Sequence, residues 1–254
     1  MWLRAFVMVF GLASVGSAQA AAPYAVWRVD AAASTSKLSN GLKPWREQAL
    51  VLTYRPTQSL WLSTGFERST RFGLSDELLR LQVAKSLPKA ATVTAAVSRS
   101  PNAVFRSRSA LQLGYDAPRL AISPEGWALG AGLDSSNAHY RQGSVQSVQP
   151  YLTLETPSHA VGSLKVIETW DEAGRQTSGY AISAATPLAR GLGLKLAYVD
   201  APESEAGRTQ KAQAVSETLT LDVGDELTLR FFGVQERRRT FDRSEYGLSF
   251  ARRF

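Results

Sequence analysis

Apolar and polar residues alternate with a period of two almost from end to end of this chain, in segments long enough to cross a bilayer. Leu50, Leu52 and Tyr54 share one face, as do Leu60, Leu62 and Phe66, Leu79, Leu81 and Val83, and Leu111, Leu113 and Tyr115. The pattern returns at Leu192, Leu194, Leu196 and Tyr198 and at Leu227, Leu229 and Phe231. Side chains of a strand point alternately to its two faces, so this is the signature of half-buried β-structure. Few windows carry the i, i+3, i+4, i+7 spacing of a helix. Counting from the segment Tyr24–Ser34, the chain holds about fourteen strands of roughly nine to twelve residues, a length that spans a membrane when tilted. Twelve strands result if the Val93–Ser109 hairpin is irregular.

The connections alternate in kind. Short turns fall at residues 56–58, 87–89, 156–158, 188–190 and 223–225, and the longer connection 116–126, with Pro118 and Pro124, has the same phase. The other set, Lys37–Arg46, Arg71–Asp76, Ser135–Gly143, Asp171–Thr177, Ala201–Lys211 and Glu236–Ser244, is longer and polar. Short turns on one side and longer loops on the other are expected of an up-and-down outer-membrane barrel, and an even strand number returns both termini to the periplasmic side. So many strands in a chain of this length leave little for a constricting loop or plug.

The face opposite the apolar one is polar or small: Thr53, Ser63, Glu67, Arg80, Gln82, Thr94, Gln112, Gly130, Gly132, Gln149, Thr153, Lys165, Lys195, Thr220 and Arg230. A soluble sandwich would put the apolar face inside and a membrane barrel would put it outside. Periodicity cannot separate them, but strand length and the small-residue inner face favour the barrel. Both ends of the sequence agree. Residues 1–20 read MWLRAFVMVFGLASVGSAQA, with a positive Arg4, an apolar run and a small-x-small end at Ala18-Gln19-Ala20. They form an export signal. Residues 21–254 then form a single barrel domain. With no cysteine, an exported chain does not depend on disulfides, and thiolate metal sites and cysteine nucleophiles are excluded.

The final residues, YGLSFARRF, put Tyr246, Leu248, Phe250 and the terminal Phe254 on one face. This resembles the last strand of outer-membrane barrels, which marks the chain for the barrel-assembly machinery; Arg252 departs from the usual apolar residue and can snorkel to the headgroups. The stretches Ser36–Pro56 and Ser59–Lys89 resemble the YaiO family of outer-membrane β-barrel proteins. The resemblance rests on Leu38-Ser39-Asn40-Gly41 with Pro44-Trp45, and on Arg71-Phe72-Gly73-Leu74-Ser75-Asp76. It implies a surface-exposed barrel and carries over no catalytic residue. Structurally, Asn40-Gly41 suits a tight turn, Pro44-Trp45 suits an anchor at the outer headgroup belt, and Arg68, Arg71 and Asp76 suit pairing across the second loop.

The chain carries 29 Lys and Arg against 22 Asp and Glu, a formal charge of +7. Export and the scatter of charge along strands exclude a nucleic-acid partner. Arg80, Arg106, Arg108, Lys165, Lys195 and Arg230 make the expected lumen net basic against Glu67, Asp134 and Glu155, which favours anions such as acidic oligosaccharides if the bore is open. Arg237, Arg238, Arg239 and Arg243 crowd the last loop, where guanidinium groups suit the phosphates of lipopolysaccharide. No phosphate loop, HExxH, GxSxG or metal-ligand cluster occurs, and no cofactor or metal is expected. The leading expectation is a non-enzymatic barrel, a small anion-preferring channel or a component of polysaccharide export. One alternative is a rim hydrolase using Asp134, Ser135 or Ser136 and His139; His159, beside Pro157, is a turn residue. Another alternative is a structural or adhesive surface protein. N-terminal sequencing of the exported protein should begin at Ala21.

Overall fold

The computed structural model describes residues 27–39, 41–205 and 208–254; the export signal lies outside them. The strands are β1 (Trp27–Leu38), β2 (Trp45–Thr57), β3 (Leu60–Arg71), β4 (Leu74–Ser86), β5 (Thr92–Arg99), β6 (Ser109–Asp116), β7 (Leu120–Ala121), β8 (Ala128–His139) and β9 (Ser144–Glu155). They continue with β10 (Val161–Trp170), β11 (Gln176–Ala189), β12 (Leu192–Glu205), β13 (Arg208–Val223), β14 (Leu227–Arg237) and β15 (Asp242–Arg253). Neighbours pair antiparallel in chain order. β6 pairs with β8, and β7 is a two-residue spur beside β8. β1 pairs with β15 from Arg28↔Arg253 to Leu38↔Arg243, and Phe254 N–H donates to the Trp27 carbonyl at 3.0 Å. The result is a closed fourteen-stranded antiparallel barrel.

Exposure settles which face is inside. Leu81 is 60% exposed, Leu79 55% and Phe231 50%, whereas Glu245 is 1% and Ser69 0% exposed. A soluble sandwich has the opposite arrangement. Here the apolar residues form an outward belt and the polar residues line the interior. Closure leaves no strand edge, so ladder amides and carbonyls find partners within the barrel, as a hydrocarbon surround demands.

The Val93–Ser109 segment forms a regular hairpin from Thr92↔Asp116 to Arg99↔Ser109, so the barrel has the fourteen strands expected and not the alternative twelve. Two expectations about the connections change. The connections expected to be long, at the end opposite the termini (the far end), are mostly strand. β3 and β4 meet in a turn of Phe72 and Gly73, both at positive φ (52° and 86°); β12 and β13 pair out to Glu205↔Arg208; and β8 runs to His139. Small and alternating residues let the ladders continue through polar sequence. Conversely, residues 100–108 fold inward and bury Phe105, Arg106 and Ser107. The barrel therefore does hold a constricting loop.

Glycines make room on the inner wall. A Cβ at Gly247 would lie 2.1 Å from Phe232 Cζ, and one at Gly132 2.2 Å from Tyr151 Cζ. Gly247→Val should destabilise the barrel by about 1–3 kcal/mol, a typical overpacking cost. Urea titration followed by heat-modifiable gel mobility should show the lowered midpoint.

Candidate functional site

Pro44-Trp45 does not anchor a loop in the headgroups. The parity of β2 that points Leu50, Leu52 and Tyr54 outward points Trp45, Glu47 and Ala49 inward, and Trp45 is completely buried. Three guanidinium groups surround its ring: Arg71 lies 4.0 Å from the centroid, and Arg238 and Arg243 5.1 Å each. Phe72 and Phe241 meet the same indole edge-on at 5.5 and 5.6 Å. Cation–π contact of this kind strengthens when water is excluded.

The cations are matched by carboxylates from distant strands. Arg238 pairs with Glu203 at 2.5 Å and with Glu236. Arg243 pairs with Glu236 and, at 2.5 Å, with Glu245. Arg71 lies 3.9 Å from Glu47. Burial alone would lower the Arg238 pKa, but Glu203 and Glu236 outweigh it and hold it above the ordinary value. Charges buried this deeply are tolerated only with partners. The cluster ties β2, β3, β12, β14 and β15 together across the far mouth.

The inward loop completes the closure. Asp76 accepts the backbone N–H groups of Val104 (2.9 Å), Phe105 (2.9 Å) and Arg106 (2.8 Å). Arg106 reaches Glu67 and Ser69, both at 2.6 Å. The Arg71 guanidinium also lies 5.1 Å from the Phe105 ring, so loop and plug are continuous. The expected pairing of Arg68, Arg71 and Asp76 does not form. Strand parity turns Arg68 outward and the other two inward, where Glu47 and the loop amides take them. Beside this cluster, Tyr140 donates to the Ser204 carbonyl at 3.2 Å, and Ile167, Val199, Ala201, Ala212, Ala214 and Val234 pack together.

Toward the termini the inner wall is half-buried and polar. Arg80 donates to Gln82 (3.0 Å) and Gln112 (2.8 Å). Lys165 pairs with Asp134 at 2.6 Å and lies 5.0 Å from the Tyr151 ring. Lys195 faces the same interior from β12. Arg230 sits 3.9 Å from Asp30, which Arg28 holds at 2.5 Å. Of the expected lumen cations, Arg80, Lys165, Lys195 and Arg230 line the wall, and Arg106 faces inward from a loop rather than a strand. Arg108 is exposed at the end of the loop that precedes β6. The wall is also more acidic than expected. Asp30, Glu47, Asp76, Glu203, Glu236 and Glu245 all face inward and are buried.

The other expected sites are taken apart by strand alternation. Asp134 faces in, to Lys165, while His139 faces out, 3.1 Å from Ser144; no Asp–Ser–His triad assembles. His159, at φ 61°, lies 3.4 Å from Glu155. Arg238 and Arg243 are inside the plug, whereas Arg237 and Arg239 are exposed. Tyr246, Leu248, Phe250 and Phe254 are exposed on the outer face, and Arg252 lies 5.1 Å from the Phe254 ring. No metal-holding group of His, Cys, Asp or Glu occurs among the described residues.

No protein-family model and no curated protein matches this chain. Solved structures do. Omp33, an outer membrane protein of Acinetobacter baumannii, aligns with a TM-score of 0.59 at 8% identity, covering 91% of this chain and 100% of that one. OpdQ of Pseudomonas aeruginosa aligns at 0.53 and 8% identity, covering 89% and 96%. CymD, a monoaromatic hydrocarbon channel, aligns at 0.51 and 10% identity, covering 90% and 88%. The fold is that of outer-membrane β-barrels. Glu236→Ala in this barrel should cost about 3–5 kcal/mol, because it strips two buried guanidinium groups of a partner. Arg237→Ser, on the exposed side, should change stability by less than about 0.5 kcal/mol. Urea midpoints in detergent distinguish the two.

Proposed function

We propose that this chain is an outer-membrane channel barrel of the YaiO type, preferring small anions and closed at rest at its cell-surface mouth. The observation that carries this reading is the grading of the inner wall. At the far end it is packed by Trp45, its three arginines and the inward loop, while the half nearer the termini stays half-buried and presents Arg80, Lys165 and Lys195. The export signal expected of residues 1–20, together with an even strand number, supports periplasmic termini, and on this reading the plugged mouth faces outward. The solved channels of the same fold support a conducting barrel. The hydroxyls of Ser163, Ser183, Thr53 and Ser63, paired along the wall at 2.8 and 3.0 Å, suit hydrated solutes such as acidic oligosaccharides.

Neither other expectation gains support from the geometry: among the described residues Asp134, Ser135, Ser136 and His139 do not assemble at the rim, and none is set apart for an adhesive role. The test is single-channel conductance of refolded protein in a planar bilayer under a salt gradient. Wild type should show low or intermittent conductance, and Trp45→Ala should raise it several-fold by removing the plug's centre. Lys165→Gln with Lys195→Gln should move the reversal potential toward cations. A Trp45→Ala barrel that is folded by gel mobility yet silent would overturn the channel.

A further inference from the structure

The outer surface just below the far mouth is asymmetric in charge. Lys37 on β1, Arg46 on β2, Arg68 on β3 and Arg237 on β14 all lie near the far ends of their strands, face outward and are exposed. These strands are contiguous through β15. The exposed Lys43 and Arg239 sit in the loops above them. Two carboxylates accompany this arc: Glu77, cross-strand from Arg68, and Asp242, 3.9 Å from Arg237. Among the described residues, Lys37, Arg46 and Arg68 make no ion pair. Elsewhere round the barrel Lys211 is neutralised by Asp200 at 3.0 Å and Arg175 by Asp171 at 2.9 Å, while the exposed Arg99 on β5 and Arg141 after β8 stand apart from the arc.

A second feature lies beneath the arc. Gly233 shares the outer face of β14 with Arg237 and floors a groove walled by Leu194, Leu219, Phe231 and Tyr246, with Glu217 at one side. On β1 the outward residues below Lys37 are Thr35 and then the small Ala33 and Ala31, paired with Leu248 and Phe250 on β15 and with Gln48 and Leu50 on β2. Cations at headgroup height above furrows in the apolar belt match a phosphate-bearing lipid with several acyl chains. Arginine pairs with phosphate through two parallel hydrogen bonds, and the furrows accept chains that a flat belt would leave bridging a gap.

We propose that this arc binds the phosphorylated glycolipid of the outer leaflet, its phosphates on Lys37, Arg46, Arg68 and Arg237 and an acyl chain along the Gly233 groove. The inference rests on the outer-membrane placement proposed above. It moves the lipopolysaccharide contact expected of Arg237, Arg238, Arg239 and Arg243 from the last loop to the barrel wall, because Arg238 and Arg243 are consumed by the plug.

Native mass spectrometry of the refolded full chain in detergent, titrated with bis-phosphorylated lipid A, tests it. Lys37→Ser, Arg46→Ser, Arg68→Ser and Arg237→Ser combined should weaken binding about tenfold or more. Gly233→Leu, which fills the groove and leaves the charges, should weaken it by a smaller factor. Wild type should bind fully dephosphorylated lipid A as poorly as the fourfold variant binds lipid A, and millimolar inorganic phosphate should not displace the lipid. Equal binding by wild type and the fourfold variant, or displacement by phosphate alone, would overturn the proposal. Sucrose-gradient fractionation reports separately on outer-membrane placement, so loss of that placement with lipid binding intact counts against the functional reading and not against the site.

Discussion

Backbone amides and carbonyls that meet hydrocarbon have no water to bond, so a strand can cross a bilayer only if both of its edges are paired. Everything else in this molecule follows from meeting that demand by closing β1 onto β15. Closure turns a sheet with two equivalent faces into a wall with an outside and an inside. The alternation of each strand then sorts most of its residues: leucines, valines and aromatics mainly outward, and hydroxylic and most carboxylate positions inward, with Trp45, Leu78 and Val199 buried inside and Lys37, Arg46, Arg68 and Arg237 outside.

Closure also creates an electrostatic problem, which the far mouth solves. Inner positions that come near the mouth leave bulk water, and a lone ion there would be costly. The chain gathers Glu47, Glu203, Glu236 and Glu245 against Arg71, Arg238 and Arg243, and sets Trp45 at the centre, where the indole face takes up the guanidinium surface that the carboxylates leave. Asp76 performs the parallel task for the backbone of the inward loop. These groups hold one another and pack the far mouth. Farther toward the termini the inner side chains, such as Arg80, Lys165 and Lys195, are only half-buried.

Much of the barrel was legible in the sequence because parity is a local property. Leu50, Leu52 and Tyr54 need only each other to declare an outward face, and strand after strand repeats the declaration. Arg80, Lys165, Lys195 and Arg230 were placed inside by the same rule. The rule also reached further than it was applied. Two steps back from Glu47 it puts Trp45 inside, and one step from Tyr246 it puts Glu245 there. Polar, turn-rich sequence hides both positions, since Trp45 falls within the loop pattern of residues 37–46 and Glu245 directly follows that of residues 236–244. The inward course of residues 100–108 had no such signal, since Asp76, which holds it, lies on another strand.

By itself, then, the sequence determined which residues share a strand face and about how many strands there are, because a side chain's face depends only on its neighbours along the strand; exposure in the folded barrel decided which of the two faces is inside. Only the tertiary structure decided that Trp45, Arg71, Arg238 and Arg243 meet, that Asp134 turns to Lys165 instead of His139, and that the last loop's arginines divide between plug and surface. Those outcomes depend on register and closure, which bring together residues up to some two hundred positions apart, as Ser34 and Glu245 show at 2.5 Å. No local pattern encodes such a meeting.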